Sequence, residues 1–539
     1  MRSRRPHLKL VAIALLAAGI ACGTGSPVPA PTAPPGPLPD VRGLPRAETL
    51  VLLGFEPTRS EHIDPAAPGG TAAGYKGLLF GGLVRFTPDL KIAPELAADW
   101  SVSDDGLVYT FALDPDAAFS DGAAITADDV IYSWTRALDD DNGYGDNAYL
   151  DDIEGAAALA AGETDVLSGV SAVDARTLEV RLRAPNTYFL GKLTFPTAYV
   201  VQRANVESGS DWYQSPVSSG PYRLREIAPY DAVTLERHDG YPHAPAIRYV
   251  VYLTNEGGSS LSMFENGTLD WVGLWDDDAE LIRDPAHRLH AQLNSVTSLC
   301  TWYLALNTRE PGLADPNVRE ALALSIDRDL LFATLIDGDD RRATTILPPA
   351  MPGFEPRPEP DFDPEAARAA LARSGIAPET LTVRLSVAGS SNDVGQLLGA
   401  VAQGWRETLG ISVTAQVLDW YDYGDAVRRY TTDVTDAGWC ADYPDAQNFL
   451  DPIAHSAGSY NNLGYRDAEV DAWLDAARAE PDPATRLTLY RQVEARLLDD
   501  HVLIPLSHSA YATVVNPRVN GYVLTPFDVK LIPWLSLQP

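Results

Sequence analysis

At 539 residues, 45% of them hydrophobic, the chain is too long for one compact core and too apolar for a disordered one, so two or three structural units are expected. Lys plus Arg total 41 against 74 Asp plus Glu, a formal net charge of −33. So acidic a balance repels phosphate backbones and anionic lipid surfaces, which excludes nucleic-acid binding as a main role.

In chain order, Arg2, Arg4, Arg5 and Lys9 form a positive leader, and Leu10 to Ala21 is an apolar run with the proportions of a secretion signal, too short to span a bilayer comfortably. Gly19 and Ala21 precede Cys22, which resembles a lipobox with Gly19 where leucine is usual. The segment reads as a signal peptide over residues 1–21, with Cys22 lipidated after cleavage; the competing reading is ordinary secretion with a cysteine near the cut. No later segment has the length and purity of a transmembrane helix. From Cys22 to Arg46 the chain is rich in Pro, Gly, Ala and Ser, the composition of an extended spacer that forms no core.

The folded body begins near Glu48. Thr49–Leu53 reads as a buried strand, 72–80 as a short helix and 107–113 as an alternating strand. Thr126 is placed to cap a helix over 127–138, with Asp128 and Asp129 at its positive end. Strand signals follow at 177–182, 232–236 and 249–253, then one strong helix over 317–337. Helices at 364–374, 394–409, 468–479 and 484–499 and strands at 381–386 and 412–418 complete the α/β pattern, with no internal repeat. The block from about 300 to 508 alternates helices and strands as a unit of its own, so the flanking strand-rich segments must meet around it as a discontinuous lobe.

Signatures of catalysis are missing: there is no Gly-x-Ser-x-Gly elbow, no His-Glu-x-x-His helix and no phosphate loop. His287 and His290 have helical spacing but no further ligands, and the acidic run from Asp139 to Asp152 does not fit a calcium loop, so neither a metal nor a cofactor is expected. Of 11 Trp and 23 Tyr, several lie in loop-like polar sequence, among them Trp302, Tyr303, Trp420 and Trp439. They read either as core residues or as walls for an organic ligand in a cleft. With Cys22 set aside, Cys300 and Cys440 remain; in an exported chain they favour a disulfide over two free buried thiols.

The segment Ala437-Gly438-Trp439-Cys440-Ala441-Asp442-Tyr443 resembles the oligopeptide-binding branch of the family 5 extracellular solute-binding proteins. The likeness extends over nearly the whole mature chain. It takes in Pro94-Glu95-Leu96-Ala97-Ala98-Asp99-Trp100, then Phe119-Ser120-Asp121-Gly122 with Thr126 to Val130, and Gly220-Pro221-Tyr222. Further on it takes in Val318-Arg319-Glu320-Ala321 with Ile326-Asp327-Arg328, and Ile504-Pro505-Leu506. Each match alone is weak; their shared order over hundreds of residues is specific.

The resemblance implies a two-lobed α/β fold of the periplasmic-binding-protein type II class with an extra inserted subdomain. Lobe one is then 47–83, 191–299 and 509–539, the inserted subdomain 84–190, and lobe two 300–508. It implies a non-enzymatic, lipid-anchored extracytoplasmic component of an ABC importer, monomeric, that captures oligopeptides and hands them to permease subunits. Asp442 takes the role of the carboxylate that grips the ligand's α-amino group, and Cys300 pairs with Cys440. Backbone at Gly69, Gly70 and Thr71 and at Gly438, Trp439 and Cys440 flanks the ligand like two strands. Trp420 and Tyr252 match aromatics that line side-chain pockets. Two departures stand out: the branch carries an arginine three residues before the Trp, available to a peptide C-terminus, where this chain has Asp436; and its tyrosine-rich strand is here Ser507-His508-Ser509. They put peptide length and side-chain preference in doubt. Relatives of the family also carry nickel chelates, haem or oligosaccharides, the alternative cargo; a secreted hydrolase is the reading from another class.

Overall fold

The computed structural model describes residues 40–54, 63–67, 75–139, 147–254, 257–274, 276–335, 340–358, 362–389, 395–527 and 531–538. The signal segment, Cys22, nearly all of the spacer, and Gly69, Gly70 and Thr71 lie outside the described residues.

Three sheets organise the chain. The first has four strands, with Thr49–Leu53 at one edge, parallel to Tyr249–Leu253, followed by Ala232–Arg237 and Tyr222–Ala228. The apolar run Thr-Leu-Val-Leu-Leu is almost wholly buried, because helices and the C-terminal tail cover both its faces. Asp270 ties the distant parts together. Its buried carboxylate takes two hydrogen bonds from Arg46 (2.7 and 2.8 Å), one from Arg518 (2.8 Å) and one from the Val51 N–H (2.7 Å). Start, middle and tail of the chain therefore meet at one fully paired charge.

The second sheet belongs to the segment between the first strand and the middle of the chain. Its order is Ala97–Val102, Val108–Leu113, Thr177–Arg181, Val170–Asp174, and the helix Ala127–Leu138 packs on it. The helix starts where the sequence places it: the Thr126 N–H and hydroxyl both donate to Asp129 Oδ2, at 2.9 and 2.8 Å. Phe111, Phe119, Trp134 and Phe189 fill a core separate from those of the other sheets.

The third sheet has seven strands and carries two long ones, Leu293–Leu306 and Leu503–Val515, paired antiparallel. At one end they pack with Trp271–Leu274 in the core of the first sheet. At the other, Leu293–Leu306 pairs with Val434–Cys440, which leads on to Thr382–Ala388 and Ser412–Leu418. The register between the long strands breaks between Thr297 and Thr301 and again between Trp302 and Tyr303. The expected boundaries at 299/300 and 508/509 fall inside these strands.

One expected element is corrected. The single helix over 317–337 is two, Pro316–Leu324 and Arg328–Thr334. The Ser325 hydroxyl donates back to the Ala321 carbonyl (2.5 Å), and Asp327 caps the second helix by accepting the Leu330 N–H at 2.9 Å, so the periodic apolar pattern is cut by local side-chain hydrogen bonds. The helix expected over 72–80 is described only as Lys76–Leu79.

Candidate ligand-binding site

The strand Val434–Cys440 is held on one edge along its whole length by Leu293–Leu306, with Cys440 opposite Cys300, Gly438 opposite Trp302 and Asp436 opposite Leu304. Among the described residues its other edge is paired at the start, where Val434 and Thr435 meet Leu385 and Ser386. The Tyr423 hydroxyl donates to the Asp436 carbonyl at 2.6 Å, and from Ala437 to Cys440 no described strand lies alongside. Such an edge presents backbone groups to whatever enters the cleft.

The period of two along the strand sorts its side chains. Ala437 and Trp439 pack against the buried cluster that holds Tyr303 and Phe449, and the Trp439 ring stands edge-on to Tyr460 at 4.9 Å. Asp436, Gly438 and Cys440 share the opposite face. Gly438 has no alternative: an added Cβ would lie 2.5 Å from the Trp302 ring, which covers it. Cys300 and Cys440 are joined as a cross-strand disulfide, with Cα atoms 4.0 Å apart.

Just past the strand, Asp442 sits in a fixed polar cradle built by Asn448, a buried residue of the helix Gln447–Ala454. The Asn448 side-chain amide donates to Asp442 Oδ2 at 3.1 Å. Its carbonyl oxygen accepts the Asp442 N–H at 2.9 Å and the Trp439 ring N–H at 3.2 Å. One amide thus orients both the carboxylate and the indole. Asp442 and residues 438–440 line a cavity of about 630 Å³ together with Tyr149, Asp151, Asp152 and Lys192 from the first half of the chain.

Residues from the two halves of the chain meet beside this cavity. Tyr188 stacks on Tyr443 with ring centres 6.1 Å apart, and the Thr187 N–H donates to the Arg478 carbonyl at 3.2 Å. Arg478 reaches the Tyr188 hydroxyl (3.2 Å) and Asp451 (2.9 Å). Burial, reinforced by Asp451, pushes the Tyr188 hydroxyl well above its ordinary pKa, so it stays a neutral donor. Lys192 is buried against Asp151 (2.7 Å) and Asp152; burial works to lower its pKa, yet the two carboxylates hold it above the usual lysine value and keep it charged.

Of the residues singled out in the sequence, Gly438, Trp439, Cys440 and Asp442 come together on the cavity wall. Trp420, 73% exposed, begins the helix Trp420–Arg428, and Tyr252 is buried in the first sheet, 5.7 Å from Tyr75; neither lines this cavity. Asn448, Tyr188 and Arg478 escaped the sequence reading. Lys192 carried a faint signal, as one of few lysines in an arginine-rich chain. Among the described residues, no group of three metal-ligating side chains gathers and no helix is long and apolar enough to cross a membrane.

Comparison with known proteins agrees with this architecture. Residues 91–461 match the family described as bacterial extracellular solute-binding proteins, family 5 middle. The periplasmic oligopeptide-binding protein OppA of Escherichia coli is 30% identical over 504 residues, covering 89% of this chain and 91% of that protein. The probable deoxycholate-binding periplasmic protein YgiS of Escherichia coli is 29% identical over 464 residues, 83% of this chain and 85% of its own. The solved structure of OppA from Burkholderia pseudomallei superposes with a TM-score of 0.75 at 25% identity, covering 92% of this chain and 100% of that one. The chain has their two-lobed α/β fold.

Proposed function

We propose, from the premise that this chain belongs to the bacterial extracellular solute-binding proteins of family 5, that it holds the free amino end of a short peptide on Asp442 and serves an ABC importer as its extracytoplasmic carrier. The observation that carries the reading is the cradled carboxylate at a cavity between two lobes, beside a strand edge that has no described neighbour. A carboxylate in a water-poor cleft is costly without a cation, and an ammonium at a fixed peptide end supplies one. The charge-assisted bond sets register, while main-chain bonds along Ala437–Cys440 give affinity without reading sequence.

Closure follows from the same contacts. A ligand touching both cavity walls favours the arrangement in which Tyr188 meets Tyr443 and Arg478, and the equilibrium shifts by the ligand's differential affinity for the two states. The hinge we assign to the register break at Thr297–Thr301, with lobe two spanning 300–508, the inserted subdomain 84–190 and the remainder of the body forming lobe one. Lipidation at Cys22, a monomeric state, and Trp420 and the segment Gly69–Gly70–Thr71 as ligand contacts belong to this proposal. No covalent step is involved.

The test is calorimetric titration with alanine peptides of three to five residues, free or acetylated at the amino end. The free amines are expected to bind, and acetylation to weaken binding by about 100-fold, in the range for truncating one member of a desolvated charge pair. Equal affinity for free and acetylated peptides overturns the assignment to Asp442. Native mass spectrometry of the purified protein discriminates the second solute class, because a retained cargo that is not a peptide declares its own mass.

A further inference from the structure

Asp436 stands on the same face of its strand as Gly438 and Cys440, at the rim of the second lobe's core. Directly across from it is Leu304, fully buried, and two residues back on its own strand is Val434, also fully buried. Its backbone carbonyl is taken by Tyr423, but its carboxylate has no hydrogen bond or ion pair among the described residues. Next along the same face the Trp302 ring lies over Gly438, 46% exposed, with its N–H donated to Ser509 Oγ at 2.8 Å. Trp420, one turn before Tyr423 on the helix that closes the strand edge, is more exposed still.

An acidic side chain with apolar neighbours, no cation among the described residues and an accessible indole along the same face is half of a cation-binding arrangement. The missing half is a basic group that pairs with the carboxylate and rests on the ring. Desolvation alone pushes the Asp436 carboxyl up to about 6, the shift expected of a carboxylate that has found no counter-charge. Ligand geometry says where the basic group must be. With the amino end at Asp442 and a rise of about 3.3 Å per residue along Cys440 to Ala437, the ligand reaches the level of Asp436 roughly three to five residues in.

We infer that Asp436 is a specificity-determining residue that selects ligands carrying a lysine or arginine side chain at the third to fifth position from their amino end. This rests on the peptide-binding reading given above. It also gives the departure at position 436 a consequence: where an arginine would attract an acidic group or a C-terminal carboxylate, this cleft repels both and attracts a base.

The experiment scans one lysine through positions 2 to 5 of a pentaalanine peptide with a free amino end and an amidated carboxyl end, each lysine compared with its ε-acetylated form. For the wild-type protein, lysine at one position from 3 to 5 is expected to bind about tenfold more tightly than acetyl-lysine there, with little difference at position 2. Asp436→Asn is expected to erase that ratio; Asp436→Arg is expected to favour glutamate at the same position. Wild-type protein that binds pentaalanine but does not distinguish lysine from acetyl-lysine at any position overturns the inference and leaves peptide binding standing. Failure of every peptide to bind overturns the peptide reading and this inference with it. Because the decisive comparison uses wild-type protein, a poorly folding variant does not obscure it.

Discussion

Two carboxylates six residues apart, Asp436 on the strand Val434–Cys440 and Asp442 just past it, are held in two different ways. Asp442 is held from its own backbone and its own oxygen by Asn448, which also fixes Trp439, so its position is set before any ligand arrives. Asp436 is held through its backbone, by the strand and the Tyr423 hydroxyl, and its side chain is crowded by Leu304 and Val434. In the proposed reading the first arrangement would locate a group that every peptide has, and the second would discriminate among peptides by a group that only some have. On that proposal, support by neighbouring polar groups gives register and desolvation without support gives preference.

Asp442→Ala breaks the comparison at its stronger end. It is expected to weaken free-amine peptides by about 100-fold or more, some 3 kcal/mol, while leaving acetylated peptides nearly unchanged, as titration calorimetry will read. His508 supplies a desolvated group with support but no ligand role. Its ring nitrogens meet Thr301 Oγ1 at 2.9 Å and Thr345 Oγ1 at 3.3 Å, and burial lowers its pKa to about 4. The unfolded chain takes up that proton near pH 6.5, so the stability His508 contributes is complete above that value and is lost as pH falls toward 4, about 3 kcal/mol over the interval. Denaturant unfolding of wild type and His508→Asn should differ by an amount that shrinks over that window.

Asn448→Ala tests the cradle itself. It leaves the Trp439 and Asp442 N–H groups without their acceptor, which should cost about 2 kcal/mol of stability and about tenfold in peptide affinity, measured by melting and calorimetry. The smallest effect is the sharpest contrast. Asp436 has a folded-state pKa above its unfolded one, so its contribution to stability is fully present below about pH 3.8 and is lost as pH rises through about 6. Asp436→Asn should therefore be the more stable protein at pH 8, by about 1 kcal/mol once partial solvent screening is allowed for, and the two should converge in acid. A pH trend of the same sign as that of His508 would show that Asp436 has found a cation and would break the comparison.

Much of this was legible along the chain because the responsible interactions are local. Capping at Thr126 and Asp129 and the buried run Thr49–Leu53 depend on near neighbours. The Trp-Cys-Ala-Asp-Tyr segment was legible for another reason: a compact motif carries its chemistry in consecutive residues. The helix over 317–337 misled because its apolar period continues through Ser325, whereas the competing hydrogen bonds of Ser325 and Asp327 leave no periodic trace. The two long strands Leu293–Leu306 and Leu503–Val515 were not legible at full length, since each is buried by different partners at its two ends.

By itself the sequence determined the kind of protein: its acidic surface charge, the mixed pattern of helices and strands, the paired cysteines available for bonding and the acidic residue following Trp439. Those features depend on residue type and on spacing within a segment. Only the tertiary structure decided that Asn448 supports Asp442, that Tyr188 meets Tyr443 across the cleft, and that the edge from Ala437 to Cys440 runs beside no described strand. Each of these joins residues brought together by packing, and the free energy that selects such a meeting comes from burial summed over whole lobes, which no single segment records.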